Sequence, residues 1–492
     1  MPMNATSPAE NTVAPAIVWF RNDLRVDDNR ALLHAAESGC PVIPLFVLED
    51  AHDTLPLGGA QRWWLHQSLL SLSAKLDTLG AALVLRRGDP EEVLDEIIRS
   101  SGADRVFWNR RYLPGLIERD TAIKSSLRDR AMTVESFHGQ LLHEPTQLRT
   151  GSGGPYRVYT PFWRAFCERP PPRPPSDAPR ALVPFHGSLV SDQLADWTLL
   201  PAGPDWSTGL SEEWEPGEEG AKTRLERFLA EGLGSYGSMR DRPGVPGTSR
   251  LSPHIAFGEI SPFRIWQEVE NVRNEVSHPD LTVFRKELLW REFSYHLLVN
   301  FPSLGNDNFN SDFDAFPWLG AGDRLARWQR GETGYPIVDA GMRELWQTGW
   351  MHNRVRMIVG SFLVKHLLID WRLGEAWFRD TLVDADPASN AASWQWIAGS
   401  GADAAPYFRI FSPILQGRKF DPDGAYVRRF VPELAAIPDK FLHTPWTAPE
   451  PVLAEAGIEL GRSYPLPIVE HGAARKRALA AYKTMKEIAA AQ

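Results

Sequence analysis

Cysteine is scarce in this chain of 492 residues, which contains only Cys40 and Cys167. Two cysteines cannot build a disulfide framework or a cysteine-based zinc site, so we predict no metal centre of that kind and expect a reducing, cytoplasmic environment. Long apolar runs are also missing, because no stretch approaches the length of about 18 residues that a membrane helix needs. The first residues lack the basic and apolar regions of a signal peptide, and we expect residues 1–13 to be a disordered lead-in.

Positive charge is not in excess, since the formal net charge is −9. This balance argues against a protein that coats nucleic acid over its whole surface, but it leaves room for a local basic patch. Several catalytic motifs are absent as well. The first strand–helix turn, WFRNDLRVDDN, lacks G-x-G-x-x-G, and no P-loop, G-x-S-x-G or H-E-x-x-H occurs elsewhere. A dehydrogenase or a P-loop enzyme is therefore disfavoured.

Short apolar runs alternate with helical periods in the first third of the chain, which predicts a doubly wound, Rossmann-like α/β domain with five parallel strands over residues 14–145. Residues 146–220 are rich in proline, glycine and acidic side chains, and we interpret them as an interdomain connector wrapped on the surface. Residues 221–492 have helical patterns almost throughout, so a larger all-α domain is predicted there.

Tryptophan, by contrast, is abundant, with 19 residues. Trp394 and Trp396 lie two positions apart in SNAASWQWIAGSG, and on a helix two such side chains diverge by about 200°. One indole can therefore point into the protein while the other lines a different surface.

Four stretches of the helical region combine residue types suited to a ligand. The hydroxyls in GTSRLSPHIAFGEIS stand at a helix start, which suits a diphosphate, although helix caps have the same composition. KELLWREF places a carboxylate, an indole and a guanidinium on one helical face, or else forms a surface ion pair. GWMHNRVRM likewise places an apolar surface, an amide and a cation on one helical face. LVDADPASN offers two carboxylates and an amide that could grip a heterocycle or simply cap a turn.

Together these stretches, in this order, resemble the photolyase/cryptochrome family nearly end to end. The resemblance extends to WFRNDLRVDDN, GYPIVDAGMRELWQTGWMHNRVRM and SNAASWQWIAGSGADAAPYFRIFSP. It implies an α/β domain, a long connector and a helical domain that binds FAD. The implied activity is light-driven splitting of cyclobutane pyrimidine dimers in UV-damaged double-stranded DNA, by electron transfer from reduced FAD to a flipped-out dimer. We expect the protein to act as a monomer.

The resemblance also implies site residues. Those expected to bind FAD are Tyr236, Thr248, Ser249, Arg250, Leu251, Ser252, Arg291, Asn353, Arg356, Asp384, Asp386 and Asn390, with Arg356 paired to Asp384 and Asn390 beside flavin N5. Those expected at the dimer are Glu287, which hydrogen-bonds a pyrimidine, Trp290 and Trp396, which hold it, and Met357, which packs beneath it. Arg240, Arg354, Arg409 and Lys419 resemble phosphate contacts, and Trp394, Trp371 and Trp318 resemble an electron-transfer series.

Three positions favour dimer repair within the family. Asn390 stands where plant-type cryptochromes tend to carry an acid, Asn353 and Met357 where six-four photolyases have histidines, and Trp396 where DASH-type members tend to have tyrosine. We therefore expect a class I photolyase, with a blue-light photoreceptor as the alternative. Folate-binding members place an Asn-Glu pair where this chain has Gly115 and Leu116, so the antenna pigment is left open between a deazaflavin, a differently held folate and none.

Overall fold

The computed structural model describes residues 13–49, 56–404 and 408–491. Apart from Val13, the expected lead-in lies outside these residues. The strands are Ala16–Phe20 (β1), Pro41–Glu49 (β2), Val84–Gly88 (β3), Arg105–Asn109 (β4), Thr133–Phe137 (β5) and Val183–Pro184 (β6).

The first part of the chain forms a parallel sheet in the order β3-β2-β1-β4-β5, as the alternating pattern predicts. β1 is buried along its whole length because helices cover both faces of the sheet. These helices are Arg30–Glu37 (α1), Gly59–Thr78 (α2), Pro90–Ser101 (α3) and Pro114–Asp129 (α4).

The connector is not only a surface segment, and this corrects the expectation from its composition. It supplies β6, which pairs with the first two residues of β2, and it buries Trp197, Leu199 and Trp214 in the core that α2 shares with the sheet. Scattered apolar residues in a proline-rich stretch give no periodic signal, although each can fill a gap in a neighbouring core. Its helices are Tyr159–Cys167 (α5), Thr208–Glu213 (α6) and the start of Glu218–Arg227 (α7).

The remaining chain is helical, with short 3₁₀ and π turns between the helices. Buried residues between Trp328 and Tyr464 form its main core. The helices are Tyr236–Met239 (α8), Ser252–Ala256 (α9), Pro262–Asn271 (α10), His278–Asn300 (α11), Gly322–Gln329 (α12), Pro336–Thr348 (α13), Asn353–Ser361 (α14), Trp371–Thr381 (α15), Pro387–Ala398 (α16), Pro413–Phe420 (α17), Ala425–Phe430 (α18), Asp439–Leu442 (α19), Glu450–Glu455 (α20) and His471–Ala491 (α21). Among the described helices, none has the length and apolar character to span a bilayer.

Buried polar contacts join the sheet to the helical region. Arg25, at the first strand–helix turn, donates to the carbonyls of Gly258 and Gly139 at 2.8 and 3.0 Å. The indole of Trp64 on α2 donates to Glu259 at 2.9 Å. Since these groups are buried and bonded, the junction holds the two parts in one arrangement.

Candidate functional site

The start of α16 carries the residues expected at the flavin ring. Asp386 caps this helix by accepting from Ser389 N–H at 2.7 Å, and it also accepts from the hydroxyl of buried Tyr295 at 2.6 Å. One turn later, the side-chain amide of Asn390 donates to the carboxylate of Glu375 at 2.8 Å. Because Glu375 takes up the amide donor, the Asn390 carbonyl oxygen is the atom left to accept from a ligand.

An ion pair fixes the third carboxylate of this region. Arg356 of α14 donates to both oxygens of Asp384 at 2.8 and 3.0 Å, and to the Met351 carbonyl at 2.7 Å. The Asp384 side chain is only 3% exposed, so the guanidinium compensates a charge that would otherwise be costly to bury. The pair expected between these two residues is present.

The stretch expected to clamp phosphates leads into α9. The Ser252 hydroxyl accepts from the indole N–H of Trp350 at 3.2 Å, while Thr248 and Ser249 are half-buried beside it. Arg250 has a positive φ of 52° and pairs with Glu213 at 2.6 Å, beneath the Trp350 ring. The Leu251 side chain is buried in the core, so it can offer a ligand only its backbone.

Three further residues expected to bind FAD differ in burial. Tyr236 on α8 is buried, and its ring packs edge-on against Phe284 of α11. Arg291 is half-buried, and Asn353 is exposed at the first position of α14. Their contacts with a cofactor stay predictions.

Buried polar atoms without partners test whether this region fits FAD. Arg291 donates one N–H to the Gln140 carbonyl at 3.0 Å, but its Nε and Nη2 have no hydrogen-bond partner among the described residues. The same holds for Oε1 of Gln140. Buried donors and acceptors are rarely left unpaired, so these atoms suit a polar ligand such as a flavin dinucleotide.

A cleft lies between the sheet and the helical region. On one side it is lined by Arg21, Glu49 and Arg111 near the ends of the strands, and on the other by Asp386 and Asn390. Ligands of open α/β sheets bind outside the carboxyl ends of the strands, and the cleft lies at that end of the sheet. Leu116, which replaces the acid of the folate-binding members, also lines the cleft.

The residues expected at the dimer are held by specific partners. Glu287 on α11 is ion-paired with Arg240, whereas Trp290, one turn away, stacks on Tyr159 with ring centroids 3.7 Å apart. On α16, the indole N–H of Trp396 donates to the Asp403 carbonyl at 3.0 Å. Trp290 and Trp396 are both half-buried, so part of each ring is available to a ligand.

Basic residues border this region. Arg354 pairs with Asp241 at 2.8 Å, contacts the sulfur of Met357 at 3.6 Å and lies over the ring of Phe420. Lys419 lies over the same ring, and exposed Arg409 is 6.0 Å from the centre of the Trp396 ring. Cations beside an aromatic pocket suit the phosphates of a nucleic acid.

Trp394 and Trp396 occupy different environments, as their spacing predicts. Trp394 is 3% exposed in the helical core, and its Nε1 has no partner among the described residues. Trp371 is fully buried in the same core and donates to Asn308 at 3.0 Å, while half-buried Trp318 packs against the edge of that core. Of these three indoles, Trp394 and Trp371 are buried, whereas Trp318 is half-buried.

Several residues of the site carry no signal in the sequence. Tyr159, Asp241 and Glu375 each hold a predicted residue in place, but they lie in stretches without a recognised motif. Asp403 lies within the motif that also contains Trp396, but nothing in that stretch singles it out as a contact. Only the folded chain brings them together.

Fold and site define a two-part protein in which an α/β sheet packs on a helical region suited to a flavin. The sequence matches two families, the FAD binding domain of DNA photolyase over residues 284–484 and DNA photolyase over residues 16–180. It is 58% identical to the deoxyribodipyrimidine photo-lyase of Agrobacterium fabrum, over 96% of this chain and 98% of that one. It is also 38% identical to cryptochrome-1 of Arabidopsis thaliana, over 97% of this chain and 71% of the relative.

The chain belongs to the photolyase/cryptochrome family, as its motifs indicate. It superposes on the crystal structure of a bacterial class III photolyase from Agrobacterium tumefaciens with a TM-score of 0.96 and 57% identity, covering 98% of this chain and 100% of that one. The class of that neighbour differs from the class I that we expected for this chain. The residues used for that expectation separate photolyases from photoreceptor, six-four and DASH members, and they do not distinguish the classes that repair the same lesion.

Proposed function

We propose that this protein is a light-driven deoxyribodipyrimidine photo-lyase of the class III type, which acts as a monomer on cyclobutane pyrimidine dimers in double-stranded DNA. The observation that carries the proposal is the pair of half-buried indoles, Trp290 and Trp396, bordered by Glu287 and by basic side chains. FAD, when bound, supplies the light-excited electron donor. The 58% identity to a photo-lyase supports the same activity.

The residues of the pocket bind and stabilise the lesion. Trp290 and Trp396 offer apolar faces to a flipped-out dimer, which costs less to extrude than a normal base pair because it is already poorly stacked; photolyases are among the enzymes for which this mechanism is established. Glu287 hydrogen-bonds a pyrimidine and stabilises charge that develops on its carbonyl. Met357 packs beneath the dimer, and Arg240, Arg354, Arg409 and Lys419 contact the DNA phosphates.

The residues around Asn390 serve the cofactor. FAD would be held by Tyr236, Thr248 to Ser252, Arg291, Asn353, Arg356, Asp384 and Asp386. The Asn390 carbonyl would accept a hydrogen bond from the flavin without adding a negative charge, so it would tolerate a reduced flavin better than a carboxylate would. Trp394, Trp371 and Trp318 would carry electrons from the surface to a bound, oxidised flavin.

A second chromophore is proposed in the cleft between the sheet and the helical region. The cleft reaches from Arg21 and Arg111 to Asn390, so a pigment there would lie next to the flavin edge. Leu116 cannot make the hydrogen bond that an acid would make to a folate, and the identity is therefore open between a deazaflavin and a differently held folate. Absorption spectra of the chromophores extracted from the purified protein distinguish the two, and extraction of one FAD per chain with no other pigment refutes a tightly bound antenna.

Light-dependent repair tests the function. Enzyme with reduced FAD is mixed with an oligonucleotide that carries one thymine dimer, and the restored thymines are measured after blue light and after darkness. Repair only in the light supports the proposal. Bound, reduced FAD without repair favours the photoreceptor alternative, with which the 38% identity to a cryptochrome is also consistent.

A further inference from the structure

Tyr159 backs one of the two indoles proposed to hold the dimer. Its ring lies parallel to that of Trp290, with an angle of 8° and centroids 3.7 Å apart. Its hydroxyl donates to the Lys286 carbonyl at 2.7 Å, one turn before Trp290 on the same helix. Phe293 packs edge-on against both rings. One face of Trp290 is therefore covered by protein, and a dimer can stack only on the other.

Asp403 links this stack to the second indole. Its carboxylate accepts from the backbone N–H of Tyr159 at 3.4 Å, and its carbonyl accepts from the Trp396 indole at 3.0 Å. Asp403 has a φ of 54°, which is uncommon for a residue with a side chain. Such a conformation persists where surrounding contacts impose it, often at ligand sites.

The Tyr159–Trp290 stack and the hydrogen bonds of Asp403 thus connect three segments that lie far apart in the chain. Trp290 belongs to α11, Tyr159 to the connector helix α5, and Trp396 to α16. We propose that Tyr159 and Asp403 are positioning residues that fix the separation and orientation of Trp290 and Trp396, and thereby determine how well the pocket discriminates a dimer from undamaged DNA. The inference rests on the proposed function, because it assumes that both indoles contact the lesion.

Four variants separate the contacts without adding backbone strain. Tyr159→Leu removes the stacked ring, whereas Tyr159→Phe keeps it and loses only the hydroxyl. Asp403→Gly removes the carboxylate, whereas Asp403→Asn keeps an acceptor, and both replacements tolerate a positive φ. Tyr156→Leu is the matched control, since it removes an aromatic ring of the same segment that packs on Phe162 and His296.

The measurements are the dissociation constants for an oligonucleotide with one thymine dimer and for the same undamaged sequence, together with flavin occupancy and Tm. In Tyr159→Leu and Asp403→Gly, the preference for the dimer should fall about tenfold, the equivalent of one base–aromatic stacking contact, while affinity for undamaged DNA is unchanged. Tyr159→Phe, Asp403→Asn and Tyr156→Leu should keep the preference within about twofold, which is less than one hydrogen bond is worth.

Two results would overturn the inference: an unchanged preference in Tyr159→Leu and Asp403→Gly, or an equal loss in Tyr156→Leu. If Tyr159→Leu does not fold, the comparison of Asp403→Gly with Asp403→Asn tests the inference instead. Position 403 is half-buried, so these replacements disturb the core less. A wild-type protein without preference for dimer DNA would instead refute the proposed function, so the two failures are distinguishable.

Discussion

Arg240 and Glu287 form an ion pair across the region where we propose that the dimer binds, 47 positions apart in the chain. Burial lowers the pKa of Arg240, but the neighbouring Glu287 carboxylate more than offsets this and leaves the pKa raised. The residue resembling a phosphate contact therefore also holds the residue resembling a substrate contact. DNA that draws Arg240 to a phosphate would free Glu287 for the pyrimidine.

Glu287→Ala should reduce the quantum yield of repair more than the affinity for the dimer. The carboxylate acts on charge that develops during the reaction, while stacking on Trp290 and Trp396 supplies binding. We expect a loss of about tenfold in yield, which is smaller than the roughly 10²- to 10³-fold loss in rate that removal of one oxyanion-hole donor causes. Yield is measured per bound dimer with pre-reduced enzyme. Glu287→Gln is the control, because its amide can still donate to a carbonyl, and it should retain more yield. A collapse of affinity with unchanged yield would show that Glu287 only binds.

Trp394→Phe should stop photoreduction of oxidised FAD and leave repair by pre-reduced enzyme nearly unchanged. Phenylalanine keeps the packing against Phe378 but is much harder to oxidise than an indole. The replacement breaks no hydrogen bond that the structure describes, because Nε1 of Trp394 has no partner there. Flavin absorbance under blue light with an external reductant gives the rate.

Trp328→Phe is the matched control for that experiment. Its ring is 6.3 Å from that of Trp394 in the same core, but it does not belong to the proposed series. We expect photoreduction to continue in this variant. Normal photoreduction in Trp394→Phe would mean that electrons enter by another route.

Asp384→Asn should lower FAD occupancy and stability together. It leaves the Arg356 guanidinium beside a neutral amide, and breaking a buried pair costs about 3–5 kcal/mol, or less here because Arg356 is 25% exposed. The ratio of flavin to protein absorbance and the Tm report the two effects. Asp370→Asn makes the same change in a more exposed pair with Arg372 and should alter neither. Full FAD occupancy in Asp384→Asn would rule out a cofactor role for the pair.

Glu344 should make stability depend on pH. Burial raises the pKa of this carboxyl from its ordinary value of 4.5 to about 7, although hydrogen bonds from Tyr426 and the His352 backbone oppose the shift. The folded protein keeps a proton that the unfolded chain releases, so this stabilisation is complete below about pH 4.5 and is lost as pH rises through about 7. The change is on the order of 3 kcal/mol.

Glu344→Gln should remove that part of the pH dependence, because an amide accepts the same hydrogen bonds without titrating. Urea unfolding of the holoenzyme across this pH range measures it, and Glu332→Gln, at an exposed pair with Arg330, serves as control. Parallel stability curves for Glu344→Gln and the wild type would contradict the raised pKa.

The sequence by itself determined the order of elements and the family. Short apolar runs and helical apolar repeats are properties of residues that are neighbours in the sequence. They therefore predicted the parallel sheet and the helical region that follows it. The divergence of Trp394 and Trp396 followed in the same way from the helical repeat. The family resemblance carried by the ordered motifs also implied the ion pair between Arg356 and Asp384.

Only the tertiary structure decided which residues hold the predicted ones in place. Tyr159 bonds to Asp403 across 244 positions and to Lys286 across 127, and no local pattern records such contacts. The buried aromatic residues of the connector escaped prediction for the same reason. Periodicity reports which face of an element is apolar, whereas the partner that covers that face is selected by packing between segments that meet only when the whole chain has folded.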